Sequence, residues 1–183
     1  MRRTSIGVTA LGAGAAWLIW DGIRVFWTDA ANSNCSTPAD IAGDAMFAIG
    51  GLAVAAAMIG LATCLSGVPR WFAIVAAVAA ATMGLANGVE HCAYEPFWLL
   101  YVLGAMTMVL STAALGLALL VTGALGRWRG LLLVIGALGL MLGTDRGGTA
   151  VFGAAWIVFG LTLLLDRQAL QAPAANEAGL AAS

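Results

Sequence analysis

Six long apolar stretches, separated by short polar or proline-containing segments, dominate the pattern of this chain. A hydrocarbon core about 30 Å thick needs roughly 20 apolar helical residues to cross it. The stretches run from about Ser5 to Trp27, Pro38 to Leu65, Pro69 to Cys92, Pro96 to Val121, Gly130 to Thr144 and Thr149 to Leu165. The pattern predicts an all-α, polytopic membrane protein: a bundle of six transmembrane helices forming a single domain over residues 1–165. The last two stretches are short for a full span. Residues 166–183, polar and alanine-rich, are expected to form a disordered cytoplasmic tail.

Local signals mark three of the helix starts. Thr37-Pro38-Ala39-Asp40 offers an N-cap threonine, a proline at the first helical position and an acid at the third. Val68-Pro69 and Glu95-Pro96 mark the third and fourth helices, because the residue before proline avoids helical angles.

Composition narrows the class. The chain is 62% hydrophobic and 9% charged, against roughly 25% charged in a soluble domain, which leaves no room for a second, soluble domain. All eight basic residues are arginine, so a lysine Schiff base is excluded, and no P-loop is present. A net charge of −1 argues against nucleic acid as a partner. The 24 glycines suit helices that approach closely in a bilayer, with Gly12/Ala16, Ala53/Ala57, Gly60/Cys64, Ala114/Ala118 and Gly139/Gly143 as candidate packing pairs. An echo of Gly14-Ala15-Ala16-Trp17 in Gly153-Ala154-Ala155-Trp156 lies in the first and last helices. It does not fit a three-plus-three repeat, so chance in a low-complexity chain is the simpler account.

Arginines set the expected orientation. With the N-terminus inside, Arg2, Arg3, Arg70, Arg127, Arg129 and Arg167 are cytoplasmic, against Arg24 and Arg146 on the other side. Both termini are then cytoplasmic. Trp27, Trp71, Trp98 and Trp128 sit near helix ends as interface anchors. A cleaved signal peptide would leave five helices, but Asp21 and Arg24 within the first apolar stretch argue against it. The absence of lysine and the alanine and glycine bias point to a bacterial inner membrane.

Candidate chemistry gathers at one end. Seven of the nine acids fall there: Asp21, Asp29, Asp40, Asp44, Glu90, Glu95 and Asp145. The only histidine, His91, is among them, with Arg24 and Arg146. Asp29, Asp40 and Glu95 read as loop charges or helix caps. Counting 1.5 Å per residue puts Asp21, Asn87 and Asp145 roughly 22–24 Å from the opposite boundary, just below the interface. Charge at that depth is costly and usually faces a cavity, a partner or a pathway. Gly14, Trp17, Asp21 and Arg24 make one stripe on the first helix; Met83, Asn87 and Glu90/His91 make another on the third. Candidate binding residues are Asp21, Arg24, Asp44, Asn87, Glu90, His91, Asp145 and Arg146, with Trp17, Trp20, Phe26, Tyr94, Phe97, Trp98 and Tyr101 as nearby aromatics that could line an apolar pocket. The competing reading is structural: Asp21 with Arg24, and Asp145 with Arg146, as ion pairs that pin helix ends.

One histidine and no repeated ligand spacing leave no metal site or cofactor to expect. Cys35 and Cys92 fall on the same, oxidising side, so a Cys35–Cys92 disulfide is expected; Cys64 is a packed thiol. No CxxC, GxSxG or HExxH motif is present. The expected function is that of a small integral membrane protein that binds or translocates a small solute or ion through an outward-facing acidic vestibule. An intramembrane acid–base enzyme acting on a lipid or isoprenoid is the alternative, with Asp21 or Glu90 as acid and His91 as base. A third is an accessory subunit of a larger membrane complex, or a homo-oligomer, packing through small-residue faces.

Overall fold

A computed structural model describes residues 3–27, 37–93, 97–143 and 147–165, with side chains described for 4–26, 37–87, 97–143 and 147–165. Six helices follow in order: α1 (Arg3–Trp27), α2 (Pro38–Cys64), α3 (Gly67–Ala93), α4 (Trp98–Thr122), α5 (Arg127–Met141) and α6 (Gly148–Leu165). No strand occurs among the described residues. Each helix packs on its neighbours in sequence, and α1 packs on α6. The six therefore form a closed ring of alternating up and down helices. Five are long and apolar enough to cross a membrane. The exception, α5, has 15 residues and reaches about 22 Å. It starts three residues earlier than its apolar run suggests, because Arg127, Trp128 and Arg129 are helical.

The outside of the ring is apolar, with Val78 at 64% and Val121 at 81% exposure. Soluble monomers rarely show such a belt, whereas a lipid bilayer requires it. The inside is filled rather than hollow. Trp17, Phe47, Met58, Leu61, Leu115 and Trp156 are all buried in one core, close-packed as protein interiors are.

Glycine lets the helices close this tightly. Across α1 and α6, a Cβ on Gly160 would lie 2.8 Å from the carbonyl oxygen of Gly7, and a Cβ on Gly153 2.9 Å from that of Gly14. The Gly14 and Gly153 echo segments thus pack against each other, antiparallel, and each needs its glycine where the backbones touch. The same device recurs at Gly51 against Gly84, Gly104 against Met83, and Gly116 against Gly130. Two of the expected packing positions do not serve in this way. Gly12 has open space beyond it, and Gly143 lies in a turn at φ +83°. Spacing alone cannot tell the inward face of an all-apolar helix from its lipid face.

The start of α2 follows its sequence signal. Thr37 Oγ1 accepts from the Asp40 N–H at 3.2 Å, and Asp40 Oδ2 accepts from the Thr37 N–H at 3.1 Å, a reciprocal capping box. At the opposite end of the bundle, Arg129 does not lie in water as its place near a helix start suggests. It is 2% exposed. Its Nη1 donates to the Leu125 carbonyl at 2.6 Å, Nη2 to the Thr162 carbonyl at 3.0 Å and Nε to Thr162 Oγ1 at 3.3 Å. The guanidinium fork thus ties the α4–α5 turn to the end of α6. Arg129→Lys is expected to cost about 1.5–3 kcal/mol in thermal unfolding, because one ammonium cannot make this set of charge-assisted bonds.

Candidate functional site

The candidate site lies at the end where α1 finishes and α2 begins, and it is built one helical turn above a layer of aromatic rings. Trp17 of α1 is the hub of that layer. Its ring centroid lies 4.6 Å from Phe47 of α2, 5.2 Å from Phe152 of α6 and 5.9 Å from Trp20. Phe47 extends the layer to Tyr101 of α4 at 6.0 Å. Gly50 on α2 makes room for the hub, since a Cβ there would meet Trp17 Nε1 at 2.7 Å. The Trp17 indole N–H is fully buried without a hydrogen-bond acceptor, so packing rather than polar pairing holds this ring.

Helical periodicity then lifts four polar side chains above the layer. Asp21 follows Trp17 by four residues, Asp44 precedes Phe47 by three, Asn87 follows Met83 by four and Thr149 precedes Phe152 by three. They pair across helices. Thr149 Oγ1 donates to Asp21 Oδ1, joining α6 to α1. Asn87 Nδ2 donates to Asp44 Oδ1 at 3.4 Å, joining α3 to α2. Asn87 and Thr149 are buried, while Asp21 and Asp44 are half-buried. Arg24, one turn beyond Asp21, holds its guanidinium 5.4 Å from the Trp20 ring centroid, within cation–π range.

Of the residues expected from sequence, Asp21, Arg24, Asp44 and Asn87 therefore meet at one end of the ring. The side chains of Glu90, His91 and Cys92, and residues Cys35, Asp145 and Arg146, lie outside the described residues. Thr149 and the aromatics Phe47 and Phe152 were not expected at the site. Nothing in the sequence around them marks these three, and only the neighbouring helix reveals their role. Among the proposed pocket aromatics, Trp17, Trp20 and Tyr101 join the layer, whereas Phe26 and Trp98 face outward at 76% and 57% exposure.

Chemically, the arrangement offers two carboxylates, an amide and a hydroxyl above an electron-rich aromatic floor. Such a set is rich in hydrogen-bond acceptors. No three metal-ligating side chains gather among the described residues. Below the floor the core is packed with Met58, Leu61, Met108 and Leu115, all fully buried. A separate groove of about 340 Å³ on the outer flank of α3 and α4, lined by Val78, Leu100, Leu103 and Gly104 among others, is almost wholly apolar. Comparison with protein-family models, curated proteins and solved structures finds no match for this chain.

Proposed function

We propose that this protein is a multi-pass membrane protein that receives a small cationic solute or ion at its Asp21 end. The carboxylates of Asp21 and Asp44 would hold it above the aromatic layer, and Glu90, His91, Asp145 and Arg146 are the further candidates from the sequence. One observation carries this reading: at the same end of the bundle, polar side chains pair between adjacent helices, α1 with α6 and α2 with α3, one turn from packed aromatic rings. Ionisable groups at membrane depth mark ligand or ion sites, and ring faces attract cations. The filled core favours a closed binding site, or translocation by alternating access, over an open pore.

The arginine distribution supports an orientation with this end outside and both termini in the cytoplasm. The bacterial cell membrane is its inferred location, and a Cys35–Cys92 disulfide is expected on the outer side. The alternatives have less behind them. The described partners of these carboxylates, an amide and a hydroxyl, give no particular support to acid–base catalysis on a lipid. No described face singles out a partner subunit.

Thermal unfolding of the detergent-purified protein, titrated at constant ionic strength with sodium, potassium or tetramethylammonium, tests the reading. A ligand at 100 times its Kd stabilises by about 2.7 kcal/mol. At least one cation is expected to stabilise the wild type. Asp21→Asn and Asp44→Asn are expected to abolish that gain, and Asp40→Asn, in the cap of α2, to retain it. A wild type indifferent to all three cations, or a gain that survives both substitutions, would sink the proposal.

A further inference from the structure

One seam of the ring is built differently from the other five. At α2–α3, a Cβ on Gly51 would lie 2.9 Å from the Ala80 carbonyl oxygen. At α3–α4, one on Gly104 would lie 2.9 Å from the Met83 nitrogen. At α4–α5, one on Gly116 would lie 2.7 Å from the Gly130 carbonyl oxygen, and at α5–α6 one on Gly139 would lie 3.0 Å from that of Gly148. With Gly153 and Gly160 of α6 against α1, all five of these seams set backbone against backbone. At α1–α2 no glycine of either helix does so. Gly43 faces side-chain atoms of Ile23 and Trp20 at 3.7 and 3.8 Å, and Gly50 faces the Trp17 indole. Backbones locked by steric fit have no rotamers to change, whereas packed side chains allow helices to slide or part.

Aromatic rings fill this seam instead. Phe47 of α2 lies 4.6 Å from Trp17 and 5.1 Å from Trp20 of α1. The Trp17 indole N–H is buried there without an acceptor. An unmade bond of this kind is a standing penalty, and a parted seam relieves it, which favours opening by roughly tenfold in the equilibrium constant. The two carboxylates of the candidate site flank the same seam. Asp21 lies one turn beyond Trp17 on α1, and Asp44 one turn before Phe47 on α2. Each is hydrogen-bonded to the helix behind it, Asp21 to Thr149 of α6 and Asp44 to Asn87 of α3. If α1 and α2 part, each carboxylate moves with its own side, and the floor between them opens.

We propose that α1 and α2 part at the Asp21 end, and that this motion admits the solute between Asp21 and Asp44. The entry role rests on the proposed cation site, while the motion itself is read without a ligand. Gly43→Cys puts a thiol in the seam, where a Cβ meets only ordinary contacts. Ala86→Cys puts one on α3 at the same level, because the adjoining Asp44 and Asn87 are hydrogen-bonded. Both positions are buried. The detergent-purified variants are treated with a water-soluble maleimide, and labelling is assigned by residue in mass spectrometry. Gly43→Cys is expected to react roughly tenfold faster than Ala86→Cys. Whichever of sodium, potassium or tetramethylammonium stabilises the wild type is expected to slow that reaction, since an ion shared by both carboxylates ties α1 to α2. The unmodified protein gives a second readout. Its Trp17 indole proton, identified in the NMR spectrum by its absence from Trp17→Phe, should exchange with heavy water while the protein stays folded. Equal reaction of the two thiols, or indole exchange that waits for global unfolding, overturns the proposal. A stabilising cation that leaves the Gly43→Cys rate unchanged overturns the entry role. Faster Gly43→Cys reaction in a protein that no cation stabilises supports the moving seam and counts against the solute site alone.

Discussion

Replacing Gly14 with alanine is expected to destabilise the protein by about 3 kcal/mol, while the same change at Gly12 is expected to be neutral or stabilising by up to about 1 kcal/mol. The two glycines are two residues apart in the same helix, so helix propensity treats them alike. Their surroundings do not. A Cβ on Gly14 would lie 2.7 Å from Ile157 Cγ1 and 2.8 Å from the Ile157 nitrogen, and would collide with the Gly153 carbonyl oxygen, whereas a Cβ on Gly12 meets nothing within 4 Å. Backbone atoms cannot rotate out of the way, so α1 and α6 must separate. This is the one contact of the ring that no loop enforces, since it joins the first helix to the last. Its separation would also strain the Asp21–Thr149 hydrogen bond above it. Unfolding in mixed detergent micelles, with the two variants side by side, reads the difference. Similar stabilities for both would mean that the helices do not meet at Gly14.

Trp17→Ala is expected to cost about 3–5 kcal/mol, as large-to-small changes of buried aromatic residues do. Trp17 is 1% exposed and touches rings from α2 and α6 as well as Trp20 of its own helix. Its removal leaves a void beneath Asp21. Trp17→Phe is expected to cost markedly less than the lost ring area implies. It also removes an indole N–H that is buried without an acceptor, and such a group carries a penalty of roughly 1–3 kcal/mol. The floor of the candidate site gives the same substitution a functional readout. The cation-dependent stabilisation expected of the wild type should be lost in Trp17→Ala and kept in Trp17→Phe. Its survival in Trp17→Ala would show that the aromatic layer is not the floor of the site.

Much of the fold is legible along the chain because apolar runs of membrane-spanning length admit one solution, a helix that satisfies its own backbone. Thr37, Pro38 and Asp40 announce the start of α2 in three residues. Asp21, Asp44 and Asn87 stand out for a similar reason, as rare polar groups in apolar runs. What is hidden is the side each residue faces. Most of these helices are apolar nearly all round, and even on α1, where Gly14 shares a stripe with Trp17 and Asp21, the sequence offers Gly12 as a packing residue too. Thr149 looks like ordinary helix filler until α1 is set beside it.

Arg129 shows the limit from the other direction. A charge near a helix start reads as an interfacial residue, yet this one is buried because α5 starts early and the end of α6 folds over it. The sequence by itself determined six helices, their membrane setting, and the end of the bundle where acids accumulate. Only the tertiary structure decided that the helices close into a filled ring, that Asp21 meets Thr149 and Asp44 meets Asn87, and that aromatic rings lie beneath them. The physical reason is that hydropathy records how much of a helix avoids water, whereas helix pairing in lipid depends on steric fit between backbones, which no single helix encodes alone.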